Sequence, residues 1–446
     1  MPNPNKLEPK KGVSPGYSRM TRLRFVPLLS IAVLLLFTFR LYTAAFLSTD
    51  DFNNLYWVQQ QSAAQMLWHF VNPASQFFRP AGMMFYWLLL HLFDLKSGAY
   101  HFLAWSFHAA NTALVYFILK RVTESRAGAA IGAMLFACEA AFEEIYWSFG
   151  TIFEIVSGFA MFAGILFWMK ERRSWLRLMV CFFVFLFAVK AKEMAITLPV
   201  VWLGCDLLVP KKPNAKMALQ VLLPSAFGLW YGLSKLNEMR QPSPADPYYM
   251  DMRWLTLGRG YGGYFDQLFQ THLRWQVWAI GFAALLLLFA LMRNRVAAFF
   301  QLYVFVTFLP VIFLVNHREI FYWYIPMLGL CGLAALLVKS VVQVIEPRIP
   351  ARITPAAAAV LFAVLCWEMY AAQRNETDAR RMWQQQIAIE YRSWVTSVRS
   401  RPRPAPNATV FFDSYPSNFN EIVLQSAAQV ALRRTDIDAR LATREQ

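Results

Sequence analysis

Residues 180–212 read VCFFVFLFAVKAKEMAITLPVVWLGCDLLVPKK. Apolar residues fill both ends without the alternation of a half-buried strand, so the pattern is that of helix in lipid. Lys190, Lys192 and Glu193 interrupt it near the middle. A charged side chain at the bilayer centre costs about 2.5–3.5 kcal/mol on insertion scales. Two short helices meeting at KAKE, at the water edge, therefore fit better than one helix carrying three charges through the hydrocarbon.

The same logic extends in both directions. The 446-residue chain is 57% hydrophobic and 16% charged, where a soluble protein carries about 25% charged residues. Many apolar runs approach the roughly 17–25 residues that a spanning helix needs. The chain therefore reads as an all-α polytopic membrane protein. A net charge of +16 could suggest nucleic acid, but most basic residues sit in short clusters between apolar runs, which is a topology signal and excludes that partner. Cys138, Cys181, Cys205, Cys331 and Cys366 all fall in apolar segments with no CxxC spacing, and read as small core residues.

About eleven crossings are expected: 25–47, 99–119, 127–142, 151–169, two helices meeting at KAKE, 217–235, 275–292, 296–315, 322–338 and 353–370. Lys and Arg are roughly twice as frequent in the segments this assigns inside as in the outer loops before the tail. Residues 1–24 form a basic cytoplasmic N-terminus, 25–372 the transmembrane domain and 373–446 a tail on the outer side. The first outer loop, 48–98, contains NNLYWVQQQSAAQMLWHF, in which Leu55, Val58, Met66, Leu67 and Phe70 share one side of an interfacial helix. PAGMMFYWLLLHLFDL, from Pro80, is short for a span and reads as half-inserted. The loop 236–274 holds PSPADP and the glycine-rich LGRGYGGYF. In the tail, an amphipathic helix from NETDARRMW, the linker RPRPAP, a strand at ATVFFDSYP and a helix at NEIVLQSAAQVALRR make a small α+β appendage.

This topology gathers mixed charges at one membrane edge: Asp50 and Asp51, Arg79, Glu143 and Glu144, Lys190 with Lys192 and Glu193, and His317, Arg318 and Glu319. Such a set suits a phosphate-bearing lipid, its head group held by Lys and Arg while a carboxylate activates an acceptor hydroxyl. A second carboxylate could position the first or hold a divalent cation, Mg or Mn, with Asp51 and Glu143 as candidate ligands. Each residue also has a plainer reading. Ser48, Thr49 and the two aspartates precede a helical pattern, so the pair can be a helix cap as readily as a catalytic pair. Lys190 and Lys192 can anchor a helical hairpin. His317, like His101 and His108, can be a structural hydrogen-bonding residue. IFYWYIP matches an interfacial aromatic belt.

The ordered motifs resemble GT-C glycosyltransferases, in the bacterial branch similar to protein O-mannosyltransferases and aminoarabinose transferases. The acidic pair Asp50–Asp51 follows the first helix; FRPAGMMFYWLLLHLF and GAYHFLAWSFHAANTALVYFILKRV come next. KAKEMAITLPVVWLGCDLL is similar to that family's Lys-Glu then Pro stretch, and HREIFYWYIPMLGL to the segment opening a late helix. Together they cover roughly residues 25–340. In CEAAFEEIYW only Glu143 and Trp147 keep the spacing of close relatives, and the missing histidines leave metal dependence open. The resemblance implies a membrane glycosyltransferase in the bacterial inner membrane. Sugar would pass from a polyprenyl-phosphate carrier to a glycan, lipid or protein acceptor at the periplasmic face. Asp50 takes the base position and Asp51 the assisting one, or the reverse. Arg79, Lys190, Lys192 and Arg318 become contacts to the carrier phosphate, with Glu143, Glu193, His317 and Glu319 in support. A flippase for polyprenyl-linked lipids, or a non-catalytic assembly partner, is the competing class. A flippase would show charges along both halves of a pathway and internal repeats, and neither stands out here.

Overall fold

The computed structural model describes residues 26–72, 75, 79–139, 142–171, 174–210, 219–238, 243–345 and 354–442. The basic segment 1–24 lies outside them, as do the side chains of Glu143 and Cys366. Within them the chain is a helical bundle with short surface helices at one end and a βαβ appendage packed against that end.

The bundle is built from α1 (Val26–Ala44), α5 (Ser97–Thr123), α6 (Arg126–Ala137), α8 (Ile152–Lys170), α9 (Ser174–Ala191), α10 (Leu198–Leu207), α11 (Leu222–Glu238), α13 (Trp275–Leu291), α14 (Arg295–Phe308) and α15 (Met327–Ile345). Helix α5 packs against α6 and α8, α6 against α15, and α8 against α9. By length and composition, Ser97–Thr123, Phe149–Lys170 and Met327–Val344 are long and apolar enough to cross a membrane. The crossing expected over 127–142 ends as a helix at Ala137. Its 12 residues rise only about 18 Å. Helix α13 is apolar along its 17 residues yet has none buried. Surrounded by water it would be an exposed apolar patch of the kind soluble monomers avoid, so its solvent is lipid.

Lys192 adopts extended backbone (φ −156°, ψ 138°) between α9 and a 3₁₀ turn over Glu193–Thr197 that leads into α10. The charged triplet thus breaks the helix where expected. In the first outer loop the expected single interfacial helix is two, α2 (Thr49–Gln59) and α3 (Ala63–Val71). The first ends at Gln59, and Ser62 caps the second, its hydroxyl accepting from the Gln65 N–H while the Gln65 side chain accepts from the Ser62 N–H. Helix α4 (Pro80–Phe93) follows as a 14-residue helix.

Two further expectations need correction. The glycine-rich LGRGYGGYF is not a loop but part of α12 (Trp254–Phe269). A side-chain carbon at Gly258 or Gly262 would come within 2.6 Å of Trp275, so these glycines serve close helix packing and not chain reversal. The break expected between the last crossing and the amphipathic tail helix is absent as well. One helix, α16 (Thr354–Ser400), runs for 47 residues, because no Gly or Pro follows Pro355 until Pro402.

The appendage is β1 (Thr409–Phe412), α17 (Glu421–Leu432) and β2 (Asp438–Leu441). The strands pair in parallel, Thr409 opposite Asp438 and Phe412 opposite Leu441, so the helix supplies the crossover that a parallel pair needs. Strand β2, DARL, carries too short and polar a pattern to be seen in the sequence. Helix α17 packs on α2, where buried Phe52 meets the rings of Phe419 at 5.8 Å and Tyr391 at 6.3 Å.

An ionic clasp holds the appendage down. Asp94 takes Arg399 at 2.7 Å and Arg433 at 2.8 Å, and Arg433 also donates to the Leu90 carbonyl at 2.7 Å. Partial burial opposes ionisation of Asp94, but the two arginines outweigh it and hold its carboxyl below the usual value. An acid with a depressed folded value stabilises docking above its unfolded value of 3.8 and loses that contribution as pH falls through the lower folded value. Asp94→Asn is therefore expected to loosen the appendage at neutral pH, read as several-fold faster trypsin cleavage after Arg399 and Arg433, the two arginines it releases, with the bundle left intact. Unchanged cleavage would show that the apolar contacts of Phe52 suffice.

Candidate active site

Successive residues of an α-helix point about 100° apart, so Asp50 and Asp51, in the first turn of α2, face different surroundings. Asp51 turns inward and is 0% exposed. Its Oδ2 accepts from the Ser48 N–H at 2.6 Å and the Phe149 N–H at 3.3 Å, and its Oδ1 accepts from the Tyr86 hydroxyl at 2.6 Å. The Ser48 hydroxyl accepts in turn from the Asp51 N–H, completing a capping box. Burial pushes the Asp51 carboxyl up to about 6, against the lowering effect of these hydrogen bonds. Asp51 thus ties α2 to α4 and to the chain after α7 (Glu143–Trp147). Its lone pairs are engaged, so it does not fit the part of a metal ligand. Among the described residues no group of three or more His, Cys, Asp or Glu is placed to hold a metal ion.

Asp50 is exposed and lines a cavity of about 320 Å³. The same cavity is lined by Arg79, Lys192, His317 and Glu319, which the sequence singled out. Arg79 enters it from the start of α4, in left-handed backbone (φ 43°, ψ 58°) just before Pro80. Such a conformation is strained for a non-glycine residue. Its guanidinium forks onto Glu193, with contacts of 3.0–3.2 Å. Burial works against the charge on Arg79, and Glu193 with Glu154 outweighs it, so the group stays protonated. Burial likewise opposes ionisation of Glu193, yet Arg79 and Lys192 hold its carboxyl down at about 2.

Lys192, 3% exposed, pairs with Glu154, 2% exposed, and its ammonium lies 4.8 Å from the Tyr322 ring centre. Burial and the nearby Arg79 lower its pKa, and Glu154 and Glu193 act the other way. His317 contacts Glu319 at 3.3 Å, and burial keeps its pKa below the ordinary value.

Two expected members point elsewhere. The Lys190 ammonium donates to the carbonyls of His69 and Asn72, at the C-terminus of α3, where a cation suits the helix dipole. Arg318 rests on α12, its Nη1 3.1 Å from where a side chain on Gly263 would begin. Neither lines the cavity. Glu143 belongs to α7, but its side chain is outside the described ones.

Glu144, Glu154, Tyr248 and Tyr322 also line the cavity. Of these only Glu144 was singled out in the sequence. Glu154 did leave a signal, an acid inside the apolar run IFEIVSGFAMF. Tyr322 was hidden by its resemblance to an aromatic belt. In fact Tyr322, Trp323 and Tyr324 are buried, and the Tyr324 hydroxyl accepts from Asn111 at 2.9 Å and contacts His108 at 3.0 Å. His101 meets the Phe46 carbonyl at 3.3 Å, so both α5 histidines serve helix contacts.

A second, larger cavity of about 740 Å³ adjoins the first. Asp50, Glu144 and Ser148 line both. Its far wall comes from the long tail helix α16.

No family model matches the chain, and no curated protein gives a significant match. Among solved structures it is similar to the crystal structure of ArnT from Cupriavidus metallidurans bound to undecaprenyl phosphate. That likeness has 12% identity and a TM-score of 0.49, over 94% of this chain and 86% of that one.

The inward and outward aspartates are separable by stability. Asp51→Ala strands a buried tyrosine hydroxyl and two backbone N–H groups, and is expected to cost about 1–3 kcal/mol. Asp50→Asn is expected to stay within about 0.5 kcal/mol of the parent. The raised Asp51 value also means that the folded state holds the proton more tightly than the unfolded one. Its contribution to stability therefore falls as pH rises from 3.8 to about 6 and is flat above that. Asp51→Ala should remove that slope. Thermal unfolding in detergent between pH 4 and 7 reads both effects, and equal losses in the two variants would refute the division of roles.

Proposed function

We propose that this chain is a GT-C-like membrane glycosyltransferase moving a sugar from a polyprenyl-phosphate carrier to an acceptor hydroxyl. One observation carries the reading: the exposed carboxylate of Asp50 shares a cavity with Arg79 and Lys192, brought from separate helices to the edge of an apolar bundle.

The chemistry follows from that arrangement. The acceptor oxygen attacks the anomeric carbon, and its proton passes to the Asp50 carboxylate. The bond between the anomeric carbon and the phosphate oxygen breaks, and the carrier phosphate leaves with the electron pair. Arg79 and Lys192 stabilise the charge that gathers on it. Glu193 and Glu154 fix the direction of the two cations while neutralising part of their charge. Asp51 holds Asp50 in place through the first turn of α2 and takes no proton itself. No cation is needed to balance the step, and none is assigned.

The apolar helices keep the isoprenoid chain in the bilayer while its head group reaches the cavity. The distribution of Lys and Arg supports a cytoplasmic N-terminus, which in a bacterial inner membrane puts the site and the tail on the periplasmic face. A flippase would need its charges spread along a path through the bundle; here they gather at one end.

Asp50→Asn is expected to lower transfer from a labelled polyprenyl-phosphate sugar by about 10²–10⁴-fold, the usual weight of a general base. Replacing Lys192 alone would leave Glu154 buried and unpaired. The combined variant Lys192→Met with Glu154→Gln is therefore the better test, with an expected loss of about 10²–10³-fold. Full turnover by Asp50→Asn in reconstituted full-length protein would end this reading.

A further inference from the structure

Helix α2 brings more to the smaller cavity than an acid. Asn53 and Asn54 follow Asp50 by three and four residues, and positions so spaced share one face of a helix. Both line the cavity beside Asp50, about 4.5 and 6 Å further along the helix axis. Asn54 is held in place: its Nδ2 donates to the Tyr86 hydroxyl at 3.2 Å, and that hydroxyl donates to Asp51. The Tyr86 ring lies 6.1 Å from the ring of Phe153, and the Arg79 guanidinium lies 5.3 Å from the centre of the same Phe153 ring. The carboxamide face of α2 and the first cation are thus linked through one aromatic ring, which itself lines the cavity. The Asn53 side-chain oxygen is buried without a hydrogen-bond partner among the described residues. The last torsion of an asparagine is soft and roughly two-fold, so a half-turn exchanges that oxygen with Nδ2, and either end can meet a ligand.

We propose that Asn53 and Asn54 read the hydroxyls of the sugar on the carrier, and so determine which donor is accepted. This rests on the transferase reading above and names contacts to the part of the substrate that it left unassigned. In a direct displacement the sugar ring lies between the leaving phosphate, at Arg79 and Lys192, and the incoming hydroxyl, at Asp50. The face of α2 that begins with Asp50 therefore flanks the ring. A carboxamide both donates and accepts, as a hydroxyl does. An ammonium only donates and a carboxylate only accepts, so the asparagine pair matches ring hydroxyls better than charged substituents. Phe153 and Tyr248 also line the cavity and offer ring faces to the C–H side of a sugar. A site built to bond a hydroxyl rejects the analogue without it far more strongly than an apolar wall can.

The test measures binding and needs no turnover. Full-length protein in lipid nanodiscs is titrated with farnesyl phosphate, with farnesyl-phosphate glucose, mannose and galactose, and with the monodeoxy forms of whichever hexose binds best. The parent is expected to hold at least one hexose form more tightly than farnesyl phosphate. Asn53→Ala should weaken that form about ten-fold and leave farnesyl phosphate unchanged. One deoxy sugar should bind the parent about ten-fold more weakly, yet lose nothing further in Asn53→Ala. Asn54 also supports Tyr86, so Asn53 carries the test.

Equal weakening of both ligands would make Asn53 a prop for the phosphate site, and no weakening would make it a bystander. Either result overturns the inference, as does a parent that binds every hexose form no better than farnesyl phosphate. Asp50→Asn separates the two readings. Full transfer by that variant ends the transferase mechanism, whereas the sugar titrations with Asn53→Ala are read independently of it.

Discussion

A buried carboxylate with three donors around it organises this end of the molecule. Asp51 gathers the Ser48 N–H, the Phe149 N–H and the Tyr86 hydroxyl, and those groups belong to the N-cap of α2 itself, the chain after α7, and α4. An unpaired carboxylate so deep would be expensive, and removing its acceptors would strand the donors just as badly. The three segments are therefore held to one geometry. Because a helix turns about 100° per residue, anchoring Asp51 inward commits Asp50 to the cavity. Capping and catalysis are not rival explanations of the acidic pair; they fall to different members of it.

The cations beside Asp50 obey a similar rule. Arg79 and Lys192 are well removed from water, and each has a carboxylate partner, Glu193 and Glu154. The Lys192–Glu154 pair is buried on both sides, and such a pair adds little net stability over apolar packing, though losing one partner is severe; in the other pair Glu193 is 42% exposed. Their value here is directional. The left-handed backbone at Arg79 and the extended backbone at Lys192 interrupt regular helix at the points where these side chains enter the cavity. The left-handed conformation at Arg79 is strained and persists only where surrounding structure over-determines it, to which its ion pair with Glu193 contributes.

The tail closes the arrangement from the far side. Phe52, on the same helix as the acidic pair, packs under Tyr391 and Phe419, while Asp94 ties Arg399 and Arg433 to the end of α4. One short helix thus faces the bundle with Asp51 and the appendage with Phe52, and carries Asp50 where two cavities meet. The tail side of the larger cavity is formed by α16 and by Asn418 before α17.

Much of this was legible in order along the chain. Apolar runs without alternation, clustered Lys and Arg, and the break at KAKE determine a helical membrane bundle, because lipid offers no hydrogen bonds and tolerates few charges. The acidic pair, Arg79, Lys192 and His317 were visible as charges out of place. Local sequence misread LGRGYGGYF as a loop, because glycine used for close packing looks the same as glycine used for turning. It also matched IFYWYIP to an interfacial aromatic belt. What only the tertiary structure decided is direction and company: that Asp51 faces in and Asp50 out, that Lys192 enters the cavity while Lys190 turns to the end of α3, and that Glu154 joins them. Those outcomes depend on which distant helix happens to lie beside each residue. A single chain read end to end carries charge and periodicity but not the identity of neighbours a hundred residues away.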